Sequence, residues 1–446
     1  MASVLILNAQ IVNEGTISER DIFIRDGFIE KIASDLAHLS ADDIIDATGL
    51  FLLPGMIDDQ VHFREPGLTH KGDIATESRA AIAGGITSYM EMPNVNPATT
   101  NMAELEKKFA LAAQKSRANY SFYLGATNHN LEDIKSLDKN RVCGVKVFMG
   151  ASTGNLLVDD PRALENIFQH APTLIATHCE DSAIICANEN LYRRSFGENI
   201  PIEYHPIIRS EKACFTSSAY AVELAKKFHS DLHVLHISTA KELVLFAAGD
   251  IGSKKITAEA CAHFLWFNSE DYNALSTLIK CNPAIKHRSD QLSLIDAINN
   301  DVIDIIATDH APHTLSEKYK TYFNALSGLP LVQHALISLL DKVKQGIFTL
   351  EKIVEKTSHN PALRYSIDRR GFIREGFYAD LVLVDMNNPT LVEKNSLHYK
   401  CRWSPFEGVR FATSIHTTFV NGVKVYSQQK IYDDNNHAME LYFNRS

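Results

Sequence analysis

The chain is short of the features that would make it a membrane, nucleic-acid or disulfide-held protein. No stretch approaches the roughly 20 apolar residues of a membrane span. The first residues, MASVLILNAQIVNEG, lack the basic start and long apolar run of a secretory signal and read as a strand. Positive charge is not in excess: the formal net charge is −10, which speaks against a nucleic-acid partner. Seven cysteines occur without a CxxC pair, an odd count that suits free thiols in a reducing compartment. These absences predict a cytoplasmic protein that binds neither nucleic acid nor membrane. No solenoid-type repeat or low-complexity segment stands out.

What remains is an ordinary globular composition, 45% hydrophobic and 22% charged, over 446 residues. That length suits one large domain with a smaller one. The first 50 residues carry short apolar or alternating runs, SVLILNAQIV, DIFIRDGFIEKIA and DIIDATGLFLLP, separated by Gly and Asp turns. The C-terminal part repeats this texture in ADLVLVDM and SIHTTFVNGVKVYSQQKIY, with a hairpin turn at Asn421-Gly422. Neither end is long enough to fold alone, so residues 1–53 and 366–446 are expected to pair into one small β-sandwich domain. Between them, residues 54–365 alternate short apolar strands with segments of helical spacing such as MAELEKKFALAAQKS and SSAYAVELAKKFHS. Eight such units predict an α/β fold, a (β/α)8 TIM barrel.

Polar residues with metal-ligand chemistry fall at the ends of the predicted barrel strands. Gln60 and His62 close the first, Lys146 lies in the fourth, His178 ends the fifth, His236 the sixth and Asp309 the eighth. The C-terminal strand ends form the mouth of such a barrel, where active sites sit. Gln60 and His62 are two apart, so alternation turns both to one face. Each residue alone fits a packed core or a turn; together at one rim they point to a metal site. Burial in an apolar strand lowers the pKa of Lys146. Its neutral amine can then take up carbon dioxide, and the resulting carbamate can bridge two divalent ions that activate water.

The phrases PGMIDDQVHFREPG, EMPN, VKVFMG, THCE, LHIS and ATDHAPH, in this order, resemble the amidohydrolase superfamily in its dihydroorotase, hydantoinase and allantoinase branch. The resemblance covers essentially the whole chain. It implies a zinc site of one or two ions, two favoured, bridged by carboxylated Lys146, with His62, His178, His236 and Asp309 as further ligands. The family carries His-x-His in the first strand, whereas this chain has Gln60 where the first His belongs. A Gln carbonyl is a neutral and weaker ligand. Gln60 therefore either coordinates weakly or bonds to a metal-bound water.

Within the branch, Arg64, Asn94 and His313 match contacts to the carboxylate of dihydroorotate, and Asn282 in CNPAIK matches a contact to its ring. Allantoinase-like members usually lack the Arg. Hydantoinase-like members usually carry a Tyr just after the carboxylated-lysine run, where Gly150-Ala151 stand here. The resemblance thus implies reversible, metal-dependent opening of the cyclic amide of dihydroorotate to N-carbamoyl-aspartate, in pyrimidine biosynthesis, with Asp309 moving the proton. It also implies a homo-oligomer. Two other readings stay open: a hydantoinase- or allantoinase-type enzyme, and a non-catalytic homologue partnering aspartate carbamoyltransferase. The segment HTLSEKYKTYFNALSGLP after the eighth strand is expected to lie over the barrel mouth.

Overall fold

The structure, a computed structural model, describes residues 3–150, 155–432 and 437–445; Ala151 lies outside them. Eight parallel strands form one sheet in sequential order. They are β1 (Met56–Val61), β2 (Ile86–Glu91), β3 (Asn119–Gly125), β4 (Gly144–Phe148), β5 (Ile175–His178), β6 (Leu232–Val234), β7 (Ile256–Cys261) and β8 (Ile305–Ala307). The sheet closes on itself just beyond β8. Val61 bridges His310 in parallel, and the His62 amide donates to the His310 carbonyl at 2.7 Å. The buried Asp58 carboxylate fastens the same seam, accepting from the Thr308 hydroxyl at 2.6 Å and amide at 3.1 Å. The expected TIM barrel is therefore present.

Helices coat the outside where the sequence carries the period of a helix. Met102–Lys115 begins at Asn101, whose side chain caps the Glu104 amide, and buries Leu105, Phe109 and Ala112. Ile74–Ala83 starts from a capping box between Asp73 and Thr76. The predicted segment SSAYAVELAKKFHS falls within a longer helix, Glu211–Phe228.

The chain ends meet in a second, nine-stranded sheet, separate from the barrel. Its central pairing joins Phe51–Pro54 antiparallel to Leu381–Asp385, which is how the N-terminal and C-terminal segments become one layer. Ile6, Ile11, Leu52, Leu381, Leu383 and Phe419 share one apolar cluster there. The run DIIDATGLFLLP is not one strand: it breaks into Asp43–Asp46 and Phe51–Pro54, which pair with successive parts of Ser3–Asn13. Gly49 supplies the positive φ (81°) of the turn between them.

Two departures from ideal strands matter at the mouth. The expected strands LHVLHIS and DIIATDHAP stop early, at Val234 and Ala307, so His236 and Asp309 lie past the ladder. In β1 the register shifts: Asp58 faces Tyr89 and Val61 faces Glu91, three residues of one strand spanning two of the other. Such a bulge breaks strict alternation, and Asp59 and Gln60, although adjacent, both contact groups inside the barrel.

Candidate active site

One cavity of about 420 Å³ opens at the C-terminal ends of the barrel strands. Gln60, His62, Arg64, Asn94, Lys146, His178, His236, Asn282, Asp309 and His313 all line it. Three of these have left-handed backbones: Arg64 (φ 71°), His236 (φ 42°) and Asp309 (φ 49°). For non-glycine residues this conformation costs about 1–3 kcal/mol each and persists where the surroundings impose it. Each follows a barrel strand as it leaves the ladder, and the turn brings the side chain into the mouth.

The inner wall holds two close pairs of potential ligand atoms. His62 Nε2 lies 3.1 Å from Asp309 Oδ1, and His178 Nδ1 lies 2.9 Å from His236 Nε2. The second nitrogen of two of these rings is already engaged. His62 Nδ1 bonds to Asn94 Oδ1 at 2.7 Å, and His178 Nε2 bonds to Glu180 Oε2 at 3.0 Å. Asn94 Oδ1 and the Glu180 carboxylate only accept, so these nitrogens carry the protons. That leaves a lone pair on His62 Nε2, facing the Asp309 carboxylate, and one on His178 Nδ1, facing His236 Nε2. Burial lowers the pKa of His62, His178 and His236, which keeps the rings neutral near pH 7. Ligand atoms about 3 Å apart match the edge of about 3.3 Å expected between tetrahedral ligands of a divalent ion. Each pair has the spacing of two ligands of one such ion.

Lys146 is 1% exposed, and burial lowers its ammonium to about 8. A larger share of neutral amine follows, the form that reacts with carbon dioxide. Gln60 donates from Nε2 to Asp309 Oδ1 at 3.1 Å, so its amide steadies the carboxylate from the side opposite its Oε1, which lies 4.0 Å from Cys261 Sγ.

The outer wall is cationic. Arg64 donates from Nε to the Pro312 carbonyl at 3.2 Å and keeps its charge, although burial lowers it to about 10. Lys71 donates to His313 Nδ1 at 3.1 Å, while His313 Nε2 reaches the Ser327 carbonyl at 3.0 Å. Burial, Arg64 and Lys71 together press the His313 pKa well down. Across the cavity, Arg209 pairs with Glu180. Burial pushes the Glu180 carboxyl up, but Arg209 and His178 hold it at about 2. Asn282 Oδ1 is buried and has no partner.

The segment after β8 lines the cavity through Tyr322, Phe323, Ala325, Leu326, Ser327 and Gly328. Two buried lysines hold it. Lys318 Nζ donates to the carbonyls of Lys280, Leu326 and Gly328 at 2.8–2.9 Å, and Lys280 Nζ to those of Tyr322 and Ala325. Sequence reading singled out none of Lys71, Glu180, Arg209, Lys280 and Lys318. Only Glu180 carried a signal, lying two residues after His178 in THCE.

One layer below the mouth, Asp59, His233 and Glu259 form a second cluster, from β1, β6 and β7. All three are fully buried. Among the described residues no helix is long and apolar enough to cross a membrane.

Comparison with known proteins agrees with this architecture. Residues 49–242 match the dihydro-orotase-like family and residues 213–425 the amidohydrolase family. A dihydroorotase of Methanosarcina acetivorans is 32% identical over 421 residues, covering 92% of this chain and 89% of that protein. An allantoinase of Solibacter usitatus is 31% identical, covering 97% and 95%. The solved L-hydantoinase of Arthrobacter aurescens superposes with a TM-score of 0.93 at 25% identity, over 99% of this chain and 100% of that one. With a barrel mouth of this donor chemistry and relatives at this identity over nearly its full length, the chain belongs to the amidohydrolase family, in its dihydroorotase-like branch.

Proposed function

We propose that the protein hydrolyses the cyclic amide of dihydroorotate reversibly, giving N-carbamoyl-aspartate, with ring closure as its biosynthetic direction. The observation that carries this reading is the buried, charged Arg64 guanidinium in the cavity lining, 3.1 Å from His313. A ring bearing a carboxylate beside the scissile amide fits between the two walls. Hydantoin-type rings carry no such carboxylate and leave the buried Arg64 charge without a ligand.

The chain's own groups have separable tasks. The Arg64 guanidinium neutralises the carboxylate, Lys71, paired with Glu317 at 3.3 Å, orients His313, and Asn94 adds an amide N–H while its oxygen fixes the His62 tautomer. Asn282 Oδ1, an unpaired acceptor, takes a ring N–H. These contacts align the scissile carbonyl with the inner wall. Asp309 takes a proton from the attacking water and returns it to the ring nitrogen as the amide bond breaks. His62, Lys146 as its carbamate, His178, His236 and Asp309 would hold the metal, zinc with two ions as our preferred complement. That metal would supply Lewis-acid polarisation of the carbonyl and a lowered pKa for water. Gln60 we assign to steadying Asp309.

The test is ring opening of dihydroorotate against a neutral ring, dihydrouracil or hydantoin, with wild type and Arg64→Ala. Loss of a charge-assisted contact of about 1.5–3 kcal/mol predicts a fall of about 10- to 100-fold in kcat/KM on dihydroorotate. The neutral ring should lose little. Equal losses on both rings, or a wild type that prefers the neutral ring, would refute the carboxylate assignment.

A further inference from the structure

The cluster beneath the mouth has a polar arrangement that a proton alone does not satisfy. His233 Nε2 lies 3.2 Å from Asp59 Oδ2 and 3.6 Å from Glu259 Oε2. The tautomer of the ring is set from its other side. Thr257 donates its hydroxyl to the Leu232 carbonyl at 3.3 Å, so its oxygen accepts from His233 Nδ1–H at 2.7 Å. In the neutral ring the Nε2 lone pair therefore points between two carboxylates. Burial lowers the pKa of the His233 ring, but Asp59 and Glu259 raise it to about 9, so without a cation Nε2 carries a proton, which reaches one carboxylate, at 3.2 Å. Yet Asp59 Oδ1, Glu259 Oε2 and His233 Nε2 all lack a hydrogen-bond partner, and all belong to fully buried residues.

We propose that Asp59, His233 and Glu259 form an inner divalent-cation site, distinct from the donor set at the mouth. One ion gives His233 Nε2 and Glu259 Oε2 a partner and takes the Asp59 carboxylate beside them. Two carboxylates, a neutral imidazole and a divalent cation also sum to zero charge, which a dry barrel interior requires. The spacings fit. Ligands about 2.0–2.1 Å from zinc in a tetrahedron stand about 3.3 Å apart, and the two imidazole-to-carboxylate separations straddle that value. Mixed nitrogen and oxygen donors suit first-row divalent ions such as zinc or manganese.

The surroundings are those of a ligand shell. The Tyr365 hydroxyl donates to Asp59 Oδ2 at 2.9 Å, and Thr257 fixes the imidazole. Glu259 Oε1 meanwhile accepts from the His236 amide at 2.9 Å. The inner ion thus ties β1, β6 and β7 together and steadies the turn that carries His236. It is a structural ion, held where no substrate reaches, and it depends on Asp59, which faces inward only because of the bulge in β1.

The test uses full-length protein expressed in zinc-supplemented medium and crystallised without chelator. Anomalous scattering at the zinc edge should show a peak between Asp59, His233 and Glu259, separate from any at the mouth. Metal analysis should show Asp59→Asn losing about one equivalent per chain relative to wild type. His178→Ala should keep the inner peak while losing metal at the mouth. Wild-type crystals without an inner peak would overturn the proposal, whatever the mouth contains. So would unchanged metal content in a folded Asp59→Asn protein. If Asp59→Asn does not fold, the wild-type anomalous map decides alone.

Discussion

Asp309 stands where three demands meet: a hydrogen bond from Gln60, contact with His62, and a seat at the cavity wall. Its left-handed backbone shows that the fold holds it there against local preference. If it carries the proton, Asp309→Asn should lower kcat by about 10²–10⁴-fold, the usual range for general acid–base groups, with the fold retained. Circular dichroism and steady-state rates on one preparation check this; near wild-type turnover would remove Asp309 from the proton's path. Residues such as this were legible in the sequence because strand ends in a barrel have a fixed meaning. Gln60, His62, Lys146, His178, His236 and Asp309 needed only their strand positions to be brought together. Asp59 was not legible, because alternation turns it outward and only the bulge turns it in. Lys71 and Arg209 reach the cavity from loop or turn positions, where no periodicity announces a direction.

Among the elements, the segment after β8 shows how an irregular stretch is fixed without a ladder. Lys318 is fully buried, and three carbonyls surround its ammonium, one for each N–H. Lys318→Met keeps most of the volume but strands the three acceptors. A loss of about 2–4 kcal/mol of stability should follow. KM should rise as the cavity wall loosens; unchanged KM and Tm would mean the segment is held by its apolar contacts alone. A second clamp lies on the far side of the barrel. Asp301, just before β8, accepts from Lys352 and Lys356, each at 2.7 Å. Burial raises its carboxyl, but the two lysines win and hold it at about 2, below the ordinary 3.8. The folded form binds its proton less readily than the unfolded chain. The stabilisation is therefore complete above about pH 4 and is lost as pH falls towards 2. Asp301→Asn should flatten the fall of Tm between these values, and a parallel wild-type curve would sink the argument. The overall barrel was legible from its alternating texture. The early ends of β6 and β8 were not, because the apolar run continues past the last ladder bond.

At the scale of the whole molecule, the two sheets depend on one another through the chain ends. Phe51–Pro54 leads directly into β1, yet its ladder partner is Leu381–Asp385, more than 300 residues later. Leu381, Leu383 and Phe419 are fully buried against Ile6, Ile11 and Leu52. Arg370 and Asp380 pair in the same layer, and Asn421 links it to Asn119 at the start of β3. Within the barrel, Tyr365 closes the floor, its hydroxyl meeting those of Tyr123 and the Asp59 carboxylate. A chain ending after Tyr365 would keep every barrel strand but expose the apolar face and one open edge of Phe51–Pro54. Such an edge pairs readily with other chains. That truncation should therefore be insoluble, although all the mouth residues remain in it. Supplying residues 366–446 as a separate chain during expression should restore soluble protein in part, since the missing ladder is intermolecular in principle. Soluble, monomeric truncated protein with an intact barrel by circular dichroism would show instead that the barrel stands alone and that the second sheet is an appendage to it.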